Sequence, residues 1–207
     1  MEPAAEQLDL AGLAIQIALG LGLAASAGLR AFLPLLVAGA AGRLGVLELS
    51  DSFGWLASTP ALVVFGVAVV AEVLGDKFPL VDHALDALHT LVKPVAGTLL
   101  AASVLTELPP LEATVLSLVT GGAVSEAVHL TKAKLRLLST ATTAGIGNPV
   151  LSVLEDLAAF AASVAAVLVP LLIGVGALVL LGAIWVLLRR RGPPGGAPAG
   201  PDDHSAP

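Results

Sequence analysis

The stretch Leu10–Leu29 reads LAGLAIQIALGLGLAASAGL and contains no charged side chain before Arg30. At 1.5 Å of rise per residue, a helix of this length spans about 30 Å, the thickness of the hydrocarbon core of a bilayer. The stretch therefore predicts a membrane-spanning helix. The residues before it are acidic and lack the basic group that begins a secretory signal, which favours a span that is retained.

The composition of the whole chain indicates the same class of protein. Of its 207 residues, 57% are hydrophobic and only 13% are charged, so a water-soluble domain would lack enough polar surface to cover its core. Aromatic residues make up 3%, which argues against an outer-membrane barrel with its aromatic girdles. We expect an all-α polytopic bundle, without disulfides because the chain has no cysteine and without a basic tract for nucleic acid.

Further stretches that are largely apolar predict the other crossings. In chain order they are Gly54–Ala71, Pro79–Thr106, Leu111–His129 and Asn148–Leu188. The last could hold two spans that break near Pro170, which gives about six crossings; one long helix there gives five. Ala31–Gly42 is too short to cross and contains Pro34, so it is either a continuation of the first helix or a re-entrant half-helix.

Lys and Arg residues orient these crossings. With six spans and both termini cytoplasmic, the outside loops contain Arg43 alone, which satisfies the positive-inside rule. The residues assigned to the inside are Lys77, Lys93, Lys132, Lys134, Arg136, Arg189, Arg190 and Arg191. The domain limits follow: an acidic segment at 1–9, a transmembrane domain at 10–191, and a disordered cytoplasmic tail rich in Pro and Gly at 192–207.

An internal duplication is a further hypothesis. AGLRAFLP at Ala27–Pro34 and AKLRLLST at Ala133–Thr140 each contain a Leu-Arg dipeptide, and each half of the chain later reaches a proline and an acid. Three spans per half would form the 3+3 inverted repeat, with short or re-entrant helices, that many transporters use. Chance similarity between apolar segments is the alternative.

Carboxylates and histidines near the span ends suggest an ion or substrate cavity. Glu72 stands close to the end of a span, where an acid is costly unless it is paired or wetted, although it could simply meet the interface beside Lys77. Asp82, Asp86 and His89 share one helix face that suits a cation or proton, or else is the solvated face of an interfacial helix. The predicted cavity residues are Arg30, Glu72, Asp76, Asp82, Asp86, His89 and Glu155.

A second group of residues suggests an anion site. Lys132 and Arg136 precede a run rich in hydroxyls and glycine, and Asn148-Pro149 is typical of a helix start. Cations, hydroxyls and helix amides together suit a phosphate, such as an anionic lipid headgroup; an ordinary basic loop is the alternative. The predicted residues are Lys132, Arg136, Ser139, Thr140, Thr142, Thr143 and Asn148.

The spacing of Glu126 and His129 repeats that of Asp86 and His89, and two such pairs resemble the ligands of a di-metal bundle site. This gives a minor hypothesis of a metal-dependent membrane enzyme with these four ligands. No nucleophile or metalloprotease signature accompanies them, so an enzyme is the least favoured class, and no cofactor is predicted.

Three strings carry a family resemblance: Ser26–Pro34 (SAGLRAFLP), Asp76–Leu99 (DKFPLVDHALDALHTLVKPVAGTL) and His129–Leu157 (HLTKAKLRLLSTATTAGIGNPVLSVLEDL). They resemble the bacterial membrane-protein family catalogued as domain of unknown function 4126. The resemblance implies a multi-pass protein of the bacterial inner membrane, and it brings no established substrate.

The main functional hypothesis is a small transporter-like protein that moves a cation, an anionic solute or a lipid headgroup through a polar cavity. The rival is a scaffold or assembly factor that binds partner helices, or further copies of itself, through small residues. Such residues line one face of the first helix, at Gly12, Gln16, Gly20, Ala24 and Gly28. Packing of that face inside the bundle is the simpler interpretation.

Overall fold

A computed structural model describes residues 9–75 and 79–190, with side chains except at 79–87, 171, 173–178, 187, 188 and 190. Every regular element in this part of the chain is helical, which confirms the predicted all-α class. The α-helices are α1 (Leu10–Leu29), α2 (Phe32–Arg43), α3 (Thr59–Gly75), α4 (Pro79–Ser103), α5 (Pro110–Ser117), α6 (Ala123–Thr143) and α7 (Asn148–Arg190). A 3-10 helix, Asp51–Ala57, precedes α3, and a π-helical turn, Leu118–Gly122, joins α5 to α6.

Several of these helices suit a membrane. Three described segments are long and apolar enough to cross it: Leu10–Leu29, Pro110–Thr143 and Asn148–Pro170. The 3-10 helix and α3, bent by 62°, form a fourth if they count as one span. With the short α2 and the more polar α4, the bundle is compatible with about six crossings. Helix α7 runs through Pro170 without a break, as the five-span alternative expects, and its described residues after Pro170 belong to a second unit.

Helices α1 and α2 form a hairpin. Arg30 has an extended backbone (φ −136°, ψ 120°), so α1 ends there and the chain reverses. Near its start, α1 contacts the α4–α5 turn, because Gln16 Nε2 donates to Thr106 Oγ1 over 2.8 Å. Helix α2 returns to the same end of the bundle, because Ser50 N, shortly after α2, donates to Ser103 O at the end of α4 over 2.8 Å. Leu29–Ala31 therefore forms the hairpin tip.

The hairpin corrects the predicted topology. That topology made α1 and α4 parallel, with the chain start at the end that carries the basic residues of α6. In the structure α1 and α4 are antiparallel: Gly20 packs against Ala101, and Gln16 lies near Thr106. The reason is the reversal at Arg30, which makes Ala31–Gly42 a return pass rather than a continuation. The start of α1 thus lies opposite the basic end.

The hairpin tip lies deep between its neighbours. Ala31 is fully buried and Arg30 is 1% exposed. Lys132 contacts the tip from a position eleven residues before the end of α6 at Thr143, a helical rise of about 16 Å. The reversal consequently occurs inside the bundle, where water cannot satisfy the backbone.

Small residues let the hairpin approach its neighbours closely. Leu23 and Ala27 of α1 are fully buried and belong to one core cluster with Leu100 of α4. Gly28 lies so close to α6 that an added Cβ would collide with the Ser125 carbonyl oxygen and the Val128 side chain. The small-residue face therefore packs within this chain, as the simpler interpretation expects.

Gly28→Ala should destabilise the protein by about 1–3 kcal/mol, because the new methyl group meets backbone that cannot move freely. Gly66→Ala is the matched control, since nothing lies within 4 Å of the position that a Cβ would take there. Thermal unfolding in detergent, followed by circular dichroism, measures both. Equal midpoints for the two variants would contradict the packing described for the tip.

Candidate functional site

The polar ends of two helices meet at the hairpin tip. The last carbonyl groups of α1 and the first amides of α2 have no partner within their own helices. Glu72 of α3 satisfies the amide end: its Oε1 accepts from Ala31 N at 3.0 Å and its Oε2 from Phe32 N at 3.4 Å. Lys132 of α6 satisfies the carbonyl end, because its Nζ donates to Leu29 O over 3.2 Å. Each side chain carries the charge that opposes the helix dipole it meets.

Arg30 ties the tip to α7. Its Nη2 donates to Ser152 Oγ at 3.0 Å and to the Ser152 carbonyl at 3.4 Å. Its Nε forms an ion pair with Asp156 Oδ1. The single residue that reverses the chain thus also binds the first three turns of a helix far away in sequence.

The Glu155 carboxylate pairs with two cationic side chains, Lys132 and Arg136. Its Oε2 lies 3.0 Å from Lys132 Nζ and 3.1 Å from Arg136 Nη2. Its Oε1 accepts from Arg136 Nε at 3.3 Å, so the arginine binds the carboxylate in a bidentate manner. Glu155 therefore pairs with Arg136 across the bundle, whereas Arg30 pairs with the neighbouring Asp156.

Helix α4 brings two ionisable groups to the same region. His89 Nε2 lies 3.5 Å from Glu72 Oε1, and one turn later Lys93 Nζ lies 3.0 Å from His129 Nδ1. Since a lysine ammonium can only donate, the imidazole nitrogen that faces it accepts. The Lys93 carbonyl also accepts from Ser125 Oγ at 2.8 Å, which fixes α4 against α6.

The predicted loop positions of several cations are wrong. Lys93 is fully buried, Lys132 is 4% exposed, and both lie within helices rather than in loops. The span predicted to end at His129 continues to Thr143 because Lys132 and Arg136 have buried acceptors and need no water. A charged residue in a sequence normally indicates the end of a membrane span, but Lys132 and Arg136 lie within α6.

The residues predicted to line a cavity divide into two sets. Arg30, Glu72, His89 and Glu155 lie around the tip, in contact with it or with a residue that contacts it. Asp76 lies outside the described residues, and Asp82 and Asp86 lie on α4 where side chains are not described. Ser152 and Asp156 were not predicted as site residues, although Asp156 was visible as the second acid of Glu155-Asp156.

The residues predicted to bind an anion have separate partners. Lys132 and Arg136 bind Glu155, whereas the hydroxyls bond locally. Thr142 Oγ1 donates to Leu138 O at 2.8 Å, and Thr143 Oγ1 donates to Ser139 O at 2.7 Å. Asn148 Nδ2 donates to Thr140 Oγ1 at 2.9 Å. A single anion site over the whole group stays a prediction.

Residues 9–75 and 79–190, as far as their side chains are described, contain no group of three or more His, Asp and Glu that could hold a metal ion. Of the four residues in the metal hypothesis, Asp86 has no described side chain. His129 faces Lys93 at 3.0 Å, so an ammonium group occupies a position that a metal cation would need. His89 instead faces Glu72. The geometry gives the metal hypothesis no support.

A family model described as "Domain of unknown function (DUF4126)" matches residues 17–190, so the chain belongs to this family, as the sequence motifs indicated. No curated protein and no solved structure matches the chain. The match includes all of α2 and the described residues that surround the tip.

The Lys132–Glu155 pair should show strong energetic coupling. Glu155→Gln leaves two buried cations short of a counter-charge, a loss of about 3–5 kcal/mol, and Lys132→Met costs less because Arg136 still binds Glu155. The double variant should lose less stability than the two single losses combined, since it removes both charges at once. Unfolding titrations in mixed micelles measure the cycle, and additive losses would contradict a direct pair.

Proposed function

We propose that this member of the family is a small transporter-like membrane protein in which the hairpin tip is the binding site. One observation carries the proposal: a chain reversal inside the bundle has its amide end and its carbonyl end each held by a buried charged side chain. Discontinuous helices with such exposed ends form the substrate and ion sites of secondary transporters.

The cost of the buried charges supports a working role. Ion pairs in a protein interior contribute little net stability, and apolar residues of similar volume often stabilise a fold more. Ionisable groups within a membrane bundle are therefore functional by default. The buried ones in the described part of the chain are Arg30, Glu72, His89, Lys93, His129, Lys132 and Arg136.

Glu72 is the natural coupling residue. As a carboxylate it occupies the amide end of α2, and its Oε1 lies 3.5 Å from Nε2 of His89, an imidazole that can donate or accept a proton. Protonation of Glu72 would remove the negative charge that faces those amides and lies within electrostatic reach of Arg30. An anionic group of the substrate could then replace it, so the cluster suits an anion moved together with protons.

Two alternatives have less support. A cation, the other substrate class that the acids suggested, would have to displace the amide contacts of Glu72. A scaffold that binds partners through the small-residue face would have to open packing that α1 already makes with α4 and α6.

We place the protein in the bacterial inner membrane with the basic end of α6 on the cytoplasmic side.

Glu72→Gln should abolish proton-coupled flux in reconstituted vesicles, with a loss of tenfold or more. The amide keeps one oxygen for a backbone donor but removes the exchangeable charge. A pH-sensitive dye inside the vesicles reports proton movement when inorganic phosphate, carboxylates, short-chain phosphatidylglycerol or metal cations are added outside. Glu112→Gln, at an exposed acid in the first turn of α5, is the control and should behave as wild type.

Wild-type protein that moves none of these species, or Glu72→Gln protein with wild-type flux, would contradict the proposal. Gel filtration and thermal unfolding of each variant separate loss of transport from loss of the fold.

A further inference from the structure

An apolar groove runs between α6 and α7 and reaches the hairpin tip. Its volume is about 410 Å³, within the range of small-molecule sites. Its floor contains Leu29, Lys132 and Glu155, and its walls include Val128, Leu151 and Ala158. Leu135 and Leu154, which also line it, are 53% and 55% exposed, so its mouth opens on the outer surface of the bundle. We name this cavity the lateral groove.

The surface around the mouth is suited to lipid rather than to water. Exposed large apolar side chains continue along α6 and α7 on either side, among them Leu130, Leu138, Val150 and Leu157. An occupant that enters sideways therefore comes from the bilayer, and its apolar part remains among apolar walls.

The floor of the lateral groove is charged. Lys132 and Glu155 line it, and Arg136, which does not line the groove, shares the Glu155 carboxylate, so these three groups together carry a formal charge of +1. A singly anionic group that reached Lys132 would neutralise this excess. Phosphate groups of lipids are the anions that a lateral entry from the bilayer supplies, and basic pockets between membrane helices bind them.

We propose that the lateral groove binds an anionic glycerophospholipid of the surrounding bilayer, with its phosphate at Lys132 and one hydrocarbon chain along the apolar walls. The inference rests on the proposed function, because it identifies the class of anion that reaches the hairpin tip. Entry from the side also explains why a charged floor lies behind apolar walls.

A second groove supplies the control. It has a volume of about 280 Å³, lies between α2 and α7, and is lined by apolar residues that include Val37, Phe160 and Val164. It can accept a hydrocarbon chain, but no charged residue lines it. A lipid in this groove would therefore be held without regard to its headgroup.

Native mass spectrometry of the full chain, purified in detergent with equal phosphatidylglycerol and phosphatidylcholine, tests the proposal. Wild-type protein should retain phosphatidylglycerol several-fold over phosphatidylcholine. Ala158→Trp fills the lateral groove from an exposed position and should lose the bound phosphatidylglycerol. Val164→Trp fills the second groove and should retain it. Lys132→Gln should still bind lipid but without preference for the anionic headgroup.

Equal retention of the two lipids by wild-type protein, or unchanged retention by Ala158→Trp, would overturn the inference. A free phosphate in place of a lipid is distinguished by its mass. Selective lipid retention in a protein without flux would keep the groove assignment and remove the transport proposal. Flux without selective retention would do the reverse.

Discussion

A chain reversal inside a membrane bundle must satisfy its backbone polar groups without water, and most of this structure follows from that constraint. The amides that begin α2 need an acceptor, and the carbonyl that ends α1 needs a donor. Glu72 and Lys132 supply them. Each is a charged group in an apolar interior and therefore requires further polar or oppositely charged partners. A network of polar side chains consequently surrounds the tip.

The need for these partners explains why α3, α4, α6 and α7 carry ionisable residues near the tip. Lys132 pairs with Glu155, which also binds Arg136, and this connects α6 to α7. Glu72 lies beside His89, which connects α3 to α4. Arg30 reaches Ser152 and Asp156. Helices from distant parts of the sequence thus meet at three residues of one hairpin.

The sequence predicted the helical class and several boundaries well. Leu10–Leu29 has the predicted bounds, and α4 begins at the predicted Pro79, because long apolar runs and a first-turn proline are local signals. The reversal at Arg30 was harder to predict. A single arginine between two apolar helices has the same sequence pattern whether the chain continues or turns back.

The candidate site was predicted only in part for a related reason. Arg30, Glu72, His89 and Glu155 were selected because charge near a span is costly. Lys93 and Lys132 were assigned to loops by the same rule, since their buried acceptors, His129 Nδ1 and the Leu29 carbonyl, are invisible in sequence. The similar dipeptides at Arg30 and Arg136 also differ in structure, because Arg30 breaks a helix whereas Arg136 lies within α6.

The central claim is that α1 and α2 form a hairpin whose two outer ends lie on one side of the membrane. The chain has no cysteine, so single cysteines can be placed at Leu10, Leu44 and Ile146, which are 74%, 77% and 82% exposed. Labelling with a membrane-impermeant maleimide in oriented membrane vesicles then reports the side of each. The hairpin predicts that Leu10→Cys and Leu44→Cys react from one side and Ile146→Cys from the other. Reaction of Leu10→Cys and Ile146→Cys from the same side, with Leu44→Cys opposite, would contradict it.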